Sequence, residues 1–244
     1  MTEPFIEFRD VVKKFDGAAV LNGLSFALDK GEILCVVGPS GTGKSVTLKH
    51  LAGLLSPTSG QVLVDGTDVG SCSEKDLRKI RSRTGYLFQG GALLAWMDVE
   101  DNVSLALRET TSLSDEEIAG KTAEALAAVE MYEAREKFPS EISGGMQKRA
   151  ALARAIVRDV DIVLYDEPTS GLDPVTSATI DRLIVKLSRQ RNITSVVVTH
   201  DIKSALKYAD KMLLLKDGRA QACLPAEDFE KSTNKDVVEF LSAI

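Results

Sequence analysis

The segment at residues 38–45 has the residue types and spacing of a loop that binds phosphate groups. It reads Gly-Pro-Ser-Gly-Thr-Gly-Lys-Ser and lies between an apolar run at 33–37 and a run with helical spacing. Its glycines let backbone N–H groups turn toward one point without Cβ clashes, and such groups hold phosphates. Lys44 is expected to reach the β- and γ-phosphates, and Ser45 to supply a hydroxyl to Mg²⁺. The pattern therefore predicts a nucleoside triphosphate site.

Two carboxylates follow an apolar run at residues 162–165. Asp166 and Glu167 are expected at the carboxyl end of a buried strand, where open α/β sheets bind ligands. Asp166 suits Mg²⁺, and Glu167 suits the orientation or deprotonation of an attacking water. His200 ends another apolar run and is expected to donate to the γ-phosphate. Gln89 is a weaker candidate for contact with Mg²⁺ or the water. Taken singly, an acidic strand cap and a structural histidine are also compatible with these segments.

A second anion site is predicted at Ser143, Gly144 and Gly145, which precede a predicted helix. The amide groups and the dipole at the beginning of a helix attract negative charge. One nucleotide does not easily occupy both glycine-rich segments if they lie in different lobes. The sequence therefore predicts a symmetric dimer with two composite sites that closes on ATP.

The elements that must position these residues alternate between strands and helices, which predicts an α/β fold with a parallel sheet covered on both faces. A helical lobe is expected between residues 91 and 158, and a final antiparallel strand after the turn at Asp217-Gly218. The predicted strands are 5–8, 20–28, 33–37, 61–64, 162–165, 195–199 and 212–215; the predicted helices are 45–55, 144–158 and 201–209, with two more beginning at Ser114 and Asp173.

Two apolar patterns in the chain can be compared with the structure. The helix after the phosphate loop is predicted from the helical spacing of Val46, Leu48, Leu51 and Leu54. The chain after Pro225 is polar but has an amphipathic end that suits packing on the sheet or binding to another subunit. That end carries Val237, Val238, Phe240 and Leu241.

Composition limits the classes of function. The chain has 244 residues, 44% of them hydrophobic, and a formal net charge of −6. No run approaches the roughly 20 apolar residues of a membrane span, and the first residues do not resemble a signal peptide. The acidic balance disfavours nucleic-acid binding. Cys35 lies in an apolar run and is expected to be a buried thiol, so a reducing cytosol fits.

Together these motifs resemble the full set of an ABC-transporter ATPase, in that family's order and over nearly the whole chain. The resemblance implies a P-loop NTPase fold with a RecA-like parallel sheet, an N-terminal antiparallel β subdomain and an inserted helical subdomain. It implies one domain over residues 1–244: the nucleotide-binding core at 1–88 and 156–224, the helical subdomain at 89–155 and a tail at 225–244. The motifs are the loop at 38–45, Gln89, the segment 143–147, Asp166 and Glu167, the segment 170–173, and His200.

The resemblance also implies roles for single residues. Phe15 matches the aromatic residue that stacks on adenine, Gln89 the loop that senses a membrane partner, and Asp173 the loop that communicates across the dimer. Lys44, Gln89, Glu167 and His200 are then expected to act in ATP hydrolysis, and Ser45, Gln89 and Asp166 to hold Mg²⁺. The expected nucleotide contacts are Phe15, Gly38, Pro39, Ser40, Gly41, Thr42, Gly43, Lys44, Ser45, Val46, Ser143, Gly144, Gly145 and Asp173.

One departure from the family pattern points to a subgroup. Met146 stands where the common signature, Leu-Ser-Gly-Gly-Gln, has its glutamine, and a thioether cannot replace the hydrogen bonds of that amide. With the region after Gln89 and the ending at 237–244, the segment 142–149 resembles the ATP-binding subunit of Mla/MCE-type lipid transport systems.

The subgroup resemblance implies phospholipid transport between the inner and outer membranes. The expected partners are a second copy, multi-spanning permease subunits, an MCE-domain lipid-binding protein and a small regulatory subunit, with the chain peripheral on the cytoplasmic face of the inner membrane. An ABC transporter for another solute, or an ABC ATPase of cofactor assembly, is the alternative. A nucleotide-binding regulator without turnover is disfavoured because both Glu167 and His200 are present.

Overall fold

The computed structural model describes residues 3–242, so the first two residues and the last two of the C-terminal ending lie outside the described residues. The strands are β1 Ile6–Phe15, β2 Ala18–Leu28, β3 Ile33–Val37, β4 Ser59–Val64, β5 Thr67–Asp68, β6 Thr84–Leu87, β7 Ile162–Asp166, β8 Thr194–Val198, β9 Lys211–Lys216 and β10 Arg219–Pro225. The helices are α1 Lys44–Leu51, α2 Glu74–Ser82, α3 Val99–Thr110, α4 Asp115–Ala128, α5 Gly144–Ile156, α6 Pro174–Arg191, α7 Ile202–Tyr208, α8 Ala226–Glu230 and α9 Lys235–Ser242.

The larger sheet has six strands in the order β10-β9-β3-β8-β7-β6. Strands β9, β3, β8, β7 and β6 run parallel, and β10 pairs antiparallel with β9. The carboxyl ends of β3, β7 and β8 therefore meet at one edge, with the segments that carry the predicted chemistry directly after them. The predicted parallel sheet and its antiparallel last strand are confirmed.

The smaller sheet has four antiparallel strands in the order β2-β1-β4-β5. Strand β1 is longer than the predicted 5–8, because its charged residues continue the ladder with β2 through register shifts near Asp10, at φ 48°. The backbone N–H of Asn22 donates to the carbonyl of Gly218 at 2.8 Å, which joins this sheet to the turn between β9 and β10.

The parallel sheet separates two apolar cores. Alternate side chains of β3 point to opposite faces: Cys35 packs with the helical region, and Leu34 and Val36 pack with the small sheet and α1. The buried Cys35 confirms the prediction for that thiol. At the C-terminal end, Val237 of α9 is buried and Phe240 packs against the first of these cores, so the amphipathic end packs on the molecule itself.

The helical region begins later than predicted. Residues 88–98 form an irregular connection that contains turns, and α3 begins only after Asp98, whose side chain accepts from the N–H of Asp101. The predicted capping box of α4, in which Ser114 and Glu117 satisfy each other's backbone N–H groups, is confirmed. Helix α5 ends two residues before the predicted 158.

Helix α1 is shorter than the predicted 45–55. Gly53 adopts φ 65°, and the N–H of Leu54 donates back to the carbonyl of Lys49, which ends the helix in a left-handed turn. Leu54 therefore lies beyond the end of α1 and is 54% exposed, so its assignment to this helix was wrong. Helix α2 and strand β6 were not predicted as elements. Ile80 is the one buried residue that α2 contributes within the described residues, so its apolar pattern is weak.

Candidate functional site

The phosphate-binding pattern forms the turn between β3 and α1, as its sequence predicts. Gly38 adopts φ 147°, and a Cβ atom built on it would lie 2.0 Å from the carbonyl oxygen of Leu215. Gly43 adopts φ 100° as the residue that precedes α1. These two positions require glycine, because one has no space for a side chain and both have a backbone conformation that L residues rarely adopt. The loop is thus fixed by the strand behind it.

Lys44 lies folded over the loop. Its Nζ donates to the carbonyl of Gly38 at 2.8 Å and to that of Pro39 at 2.9 Å. Burial lowers the pKa of Lys44, and the nearby negative charges of Glu167 and Asp166 oppose that shift. The ammonium group is thus partly desolvated and set among the groups that a triphosphate would meet.

Asp166, at the end of β7, connects to the loop through Ser45. The Ser45 hydroxyl donates to Asp166 Oδ1 at 2.8 Å, and the Tyr86 hydroxyl lies 3.5 Å from Oδ2 on the other side. Burial raises the pKa of Tyr86 well above its usual value, and the charge of Asp166 adds to that effect. Tyr86 therefore stays a hydroxyl donor toward the carboxylate.

The oxygen donors of Ser45 and Asp166 fit Mg²⁺, which prefers hard oxygen ligands and is commonly held by one or two carboxylates plus phosphates of the substrate. Within residues 3–242, no group of three or more His, Cys, Asp and Glu side chains is arranged to hold a metal ion on its own.

Glu167 and His200 form the second polar pair at this edge of the sheet. Nδ1 of His200 lies 2.5 Å from Oε2 of Glu167, and the side chains are 68% and 16% exposed respectively. Glu167 adopts φ 50°, the left-handed region that costs a non-glycine residue energy. Its N–H donates to the carbonyl of Val198, which holds the strained residue against β8. The pair can hold or accept a proton beside the loop.

Among the described residues, Gln89 contacts this site through its backbone carbonyl group. Its side chain is exposed, and its carbonyl oxygen accepts from Nζ of Lys148, which is only 6% exposed. The same Nζ lies 3.5 Å from the carbonyl of Glu167. The predicted contact of the Gln89 amide with Mg²⁺ or water stays a prediction.

Ser143 begins α5 as predicted. Its Oγ accepts from the N–H of Met146 at 3.3 Å, while Ser143 and Gly144 are exposed. Gly145 is buried against α6, because a Cβ atom there would lie 2.3 Å from Cγ2 of Thr176. Met146, the departure from the family pattern, packs against the helical core. The exposed beginning of α5 is therefore free to meet an anion from outside the chain.

Asp173 caps the beginning of α6. It accepts from the N–H groups of Val175 and Thr176, and the Thr176 hydroxyl donates to its Oδ2 at 2.5 Å. These bonds, that of the Thr176 hydroxyl first, lower the pKa of Asp173. Thr176 also contacts the Gly145 position, so the beginnings of α5 and α6 are held together.

Phe15 ends β1 and is 41% exposed, which leaves a ring face accessible for stacking. Nζ of Lys13 lies 5.1 Å from the ring centroid, a distance at which a cation is attracted to an aromatic face. His50, in contrast, is buried in α1 with Nδ1 at 2.8 Å from the carbonyl of Val46, so its role is structural.

The sequence interpretation missed Tyr86 and Lys148. Tyr86 is part of an apolar run, where only the structure reveals that its hydroxyl meets Asp166. Lys148 had a detectable signal: it shares a helix face with Leu152 and Ala155, four and seven positions later, and both are buried. A lysine on a buried helix face has a partner in most proteins, so its position alone is informative.

Comparison with known protein families gives a match to one family model. The model described as ABC transporter matches residues 21–170. None of the helices between residues 3 and 242 combines the length and apolar character that crossing a membrane requires.

Two groups of curated relatives share much of the sequence. A protein of Haemophilus influenzae named intermembrane phospholipid transport system ATP-binding protein MlaF is 38% identical over 241 residues, 99% of this chain and 91% of that protein. A Mycobacterium tuberculosis protein named probable ribonucleotide transport ATP-binding protein mkl is 45% identical over 86% of this chain. The chain spans only 58% of the length of that mycobacterial relative.

Solved structures share the fold. A dimeric ATP-binding cassette in a post-hydrolysis state bound to ADP and Pi superposes with a TM-score of 0.82 at 31% identity, over 91% of this chain and 98% of that one. The cbiO1 protein of Clostridium perfringens, part of an ABC transporter complex, has a TM-score of 0.87 at 26% identity over the whole of both chains. The predicted P-loop fold with its antiparallel and helical additions is confirmed.

Proposed function

The chain belongs to the ABC transporter family, and from this premise we propose that it is the ATP-binding and ATP-hydrolysing subunit of a transporter that moves phospholipid between membranes. The observation that carries the ATPase part is the pairing of Glu167 with His200 beside the loop that holds Lys44. The lipid part is supported by the likeness to the MlaF protein of Haemophilus influenzae over 99% of the chain.

In this proposal each polar group has one task toward ATP. The loop amides and Lys44 hold the phosphates, and Phe15 stacks on adenine. Glu167 accepts a proton from the attacking water, and His200 orients Glu167 and donates to the γ-phosphate. Ser45 and Asp166, with Gln89, would hold Mg²⁺, which neutralises charge on the β- and γ-phosphates when bound.

A second copy completes the site. The exposed beginning of α5, at Ser143 and Gly144, is proposed to contact the γ-phosphate of ATP held by the other copy. Asp173 accepts a hydrogen bond from Thr176, which lies against Gly145 near the beginning of α5. Asp173 would therefore make contacts across the interface. Binding of ATP closes this dimer, and hydrolysis reopens it. The dimeric ATP-binding cassette with ADP and Pi is a structural precedent for such an assembly.

The remaining partners are inferred from the lipid assignment. Multi-spanning permease subunits would convert closure of the dimer into movement of lipid, with an MCE-domain protein to receive it and a small subunit to regulate it. The chain would then lie on the cytoplasmic face of the inner membrane. The domain division at residues 89 and 155 is also proposed, with the irregular connection 88–98 at the beginning of the helical part.

A transporter of another solute is the second candidate. It is favoured by the 45% identity to mycobacterial proteins whose name assigns them to ribonucleotide transport. That relative is longer than this chain, so its activity belongs to a larger protein. An ABC ATPase of cofactor assembly remains a third candidate with the same ATP chemistry.

Purification of the tagged chain from its own membranes in mild detergent tests the proposal. Recovery of a multi-spanning permease, an MCE-domain protein and bound phospholipid would support it. A different permease, without bound phospholipid, would keep the ATPase and refute the lipid assignment. Soluble partners without any permease would refute the transporter assignment.

A further inference from the structure

Lys148 is a buried charge that the proposed ATPase chemistry leaves without a role. Only 6% of the residue is exposed, and it lies on α5, on the helix face that carries Leu152 into the core. Burial of an ammonium group is costly unless hydrogen-bond partners compensate it. Those partners therefore indicate why the lysine is there.

The partners of Lys148 lie in two segments of the proposed active site. One is the carbonyl of Gln89, which accepts a hydrogen bond from Nζ, and the other is the carbonyl of Glu167, at 3.5 Å. An ammonium group has three donors, so it can serve both carbonyls at once. The negative charges of Glu167 and Asp166 also favour the protonated lysine, against the lowering of its pKa by burial.

The contact with Glu167 is made at a strained point of the backbone. Glu167 adopts φ 50°, and a left-handed non-glycine residue persists only where its surroundings hold it. Its N–H is held by the carbonyl of Val198, and its carbonyl accepts from the N–H of Ser170 at 3.2 Å. Lys148 adds a charged donor on the same carbonyl. It therefore contributes to the direction in which the Glu167 side chain leaves the backbone.

Lys148 also connects this residue to the other end of the site. It lies five positions after Ser143 on one rigid helix, about 7.5 Å along the axis at a rise of about 1.5 Å per residue. In the proposed dimer, Ser143 contacts the ATP held by the second copy. A shift of the beginning of α5 on that contact therefore moves the ammonium group that holds Gln89 and Glu167.

We propose that Lys148 is a positioning residue that couples the two ATP sites of the dimer, by tying the backbone of Gln89 and Glu167 in one site to the helix whose beginning contacts the nucleotide of the other. This inference rests on the proposed function. It requires the ammonium group to act on the rate of hydrolysis and on cooperativity between sites, with little effect on ATP binding to the isolated subunit.

The chain offers a matched control for this idea. Arg154, further along α5, donates to the carbonyls of Gly91 and Ala92 and is also partly buried. It therefore ties the same connection to the same helix, without contact to Glu167. Arg154→Met removes a similar tether, and Lys148→Met removes the one that reaches the active site.

The test compares the wild type, Lys148→Met, Lys148→Arg and Arg154→Met as full-length chains in the purified membrane complex. ATPase kinetics give kcat, KM and the Hill coefficient, and thermal unfolding gives Tm. We expect Lys148→Met to lower kcat by about tenfold, or about 1.4 kcal/mol, to change KM less than about threefold and to bring the Hill coefficient close to one. Lys148→Arg, which keeps two or more donors, should recover much of kcat. Arg154→Met should keep kcat and the Hill coefficient near the wild-type values.

Other outcomes contradict the inference. A kcat of Lys148→Met within about threefold of the wild type would overturn it. So would equal losses of kcat in Lys148→Met and Arg154→Met that follow their losses of Tm, because tethering alone would then account for both. If Lys148→Met does not fold, Lys148→Gln keeps two amide N–H donors without the charge and should show an intermediate kcat. Absence of ATPase activity in the wild type would instead refute the proposed function, so the two failures are distinguishable.

Discussion

The imidazole of His200 meets the carboxylate of Glu167 at 2.5 Å, between the ends of two adjacent parallel strands. Glu167 follows β7 in a left-handed conformation, while His200 follows β8 and is largely exposed. The exposed side of the imidazole leaves Nε2 able to contact a phosphate while Nδ1 holds the carboxylate. This division of the two ring nitrogens is what the proposed reaction requires.

Replacement of Glu167 by glutamine should separate ATP binding from hydrolysis. The amide keeps the size of the side chain and a contact with His200, but it is a poor proton acceptor. We expect kcat to fall by about 10² or more, the scale of losing a key polar group in a transition state. ATP should still bind, and an ATP-bound dimer should accumulate in size-exclusion chromatography with ATP. Glu130→Gln, on the surface, is the control; hydrolysis at the wild-type rate in Glu167→Gln would remove Glu167 from the role of base.

Much of this site follows from the sequence because it depends on local geometry. The backbone conformation of the glycines at 38 and 43, the apolar strand before Asp166 and the cap at Ser143 are local features of the chain. Because β7 and β8 are adjacent parallel strands, Asp166 and His200 at their carboxyl ends lie at one edge of the sheet. Their predicted roles toward ATP stay predictions, because they depend on a ligand and on a second copy.

What the sequence did not reveal depends on contacts between distant segments. The hydroxyl of Tyr86 meets Asp166 from 80 positions away, and Nζ of Lys148 meets Gln89 from 59 positions away. The overlong prediction for α1 failed for a different reason. Leu54 continues the apolar spacing, but Gly53 ends the helix first, and apolar periodicity does not record that competition.

Removal of the Tyr86 hydroxyl should weaken the activation of ATP hydrolysis by Mg²⁺. The hydroxyl lies 3.5 Å from Asp166 Oδ2 and restrains the carboxylate opposite Ser45. Groups that orient metal ligands change metal affinity by about tenfold or more when removed. We expect Tyr86→Phe to raise the Mg²⁺ concentration for half-maximal ATPase activity by about tenfold, with little change at saturating Mg²⁺. Tyr132→Phe, at a 41% exposed tyrosine, is the control, and an unchanged Mg²⁺ titration of Tyr86→Phe would contradict this role.

A bulky charged side chain at Ser143 should prevent dimer closure without preventing ATP binding. Ser143 is exposed, and the proposed partner of its helix is the ATP of the other copy. In the Glu167→Gln background, we expect Ser143→Arg to keep the Kd for ATP but to elute as a monomer with ATP present. Lys44→Ala in the same background should lose both properties, since Lys44 lies on the loop of its own site. If Ser143→Arg lost ATP affinity to the same degree as Lys44→Ala, one chain would carry the whole site.

His50 should make the fold less stable on the acid side of neutrality. Its ring is 1% exposed, with Nδ1 bonded to the carbonyl of Val46 and Nε2 without a hydrogen-bond partner among the described residues. Burial lowers the pKa of His50 below the usual value of about 6.5, and the charge of Lys13 adds to this. Below that pH the unfolded chain binds a proton that the folded chain does not. Protonation therefore favours the unfolded state, and the free energy of unfolding decreases as the pH falls.

The measurement is the free energy of unfolding in urea between about pH 7.5 and 5.5, the range that spans the usual histidine pKa. His50 should contribute a slope of at most about 1.4 kcal/mol per pH unit below about pH 6.5. His50→Leu should lose that part of the slope, whatever its effect on stability at neutral pH. The chain has two histidines, so His200→Asn, which keeps His50, is the matched control and should retain the slope. An unchanged acid slope in His50→Leu would show that another group takes up the proton on unfolding.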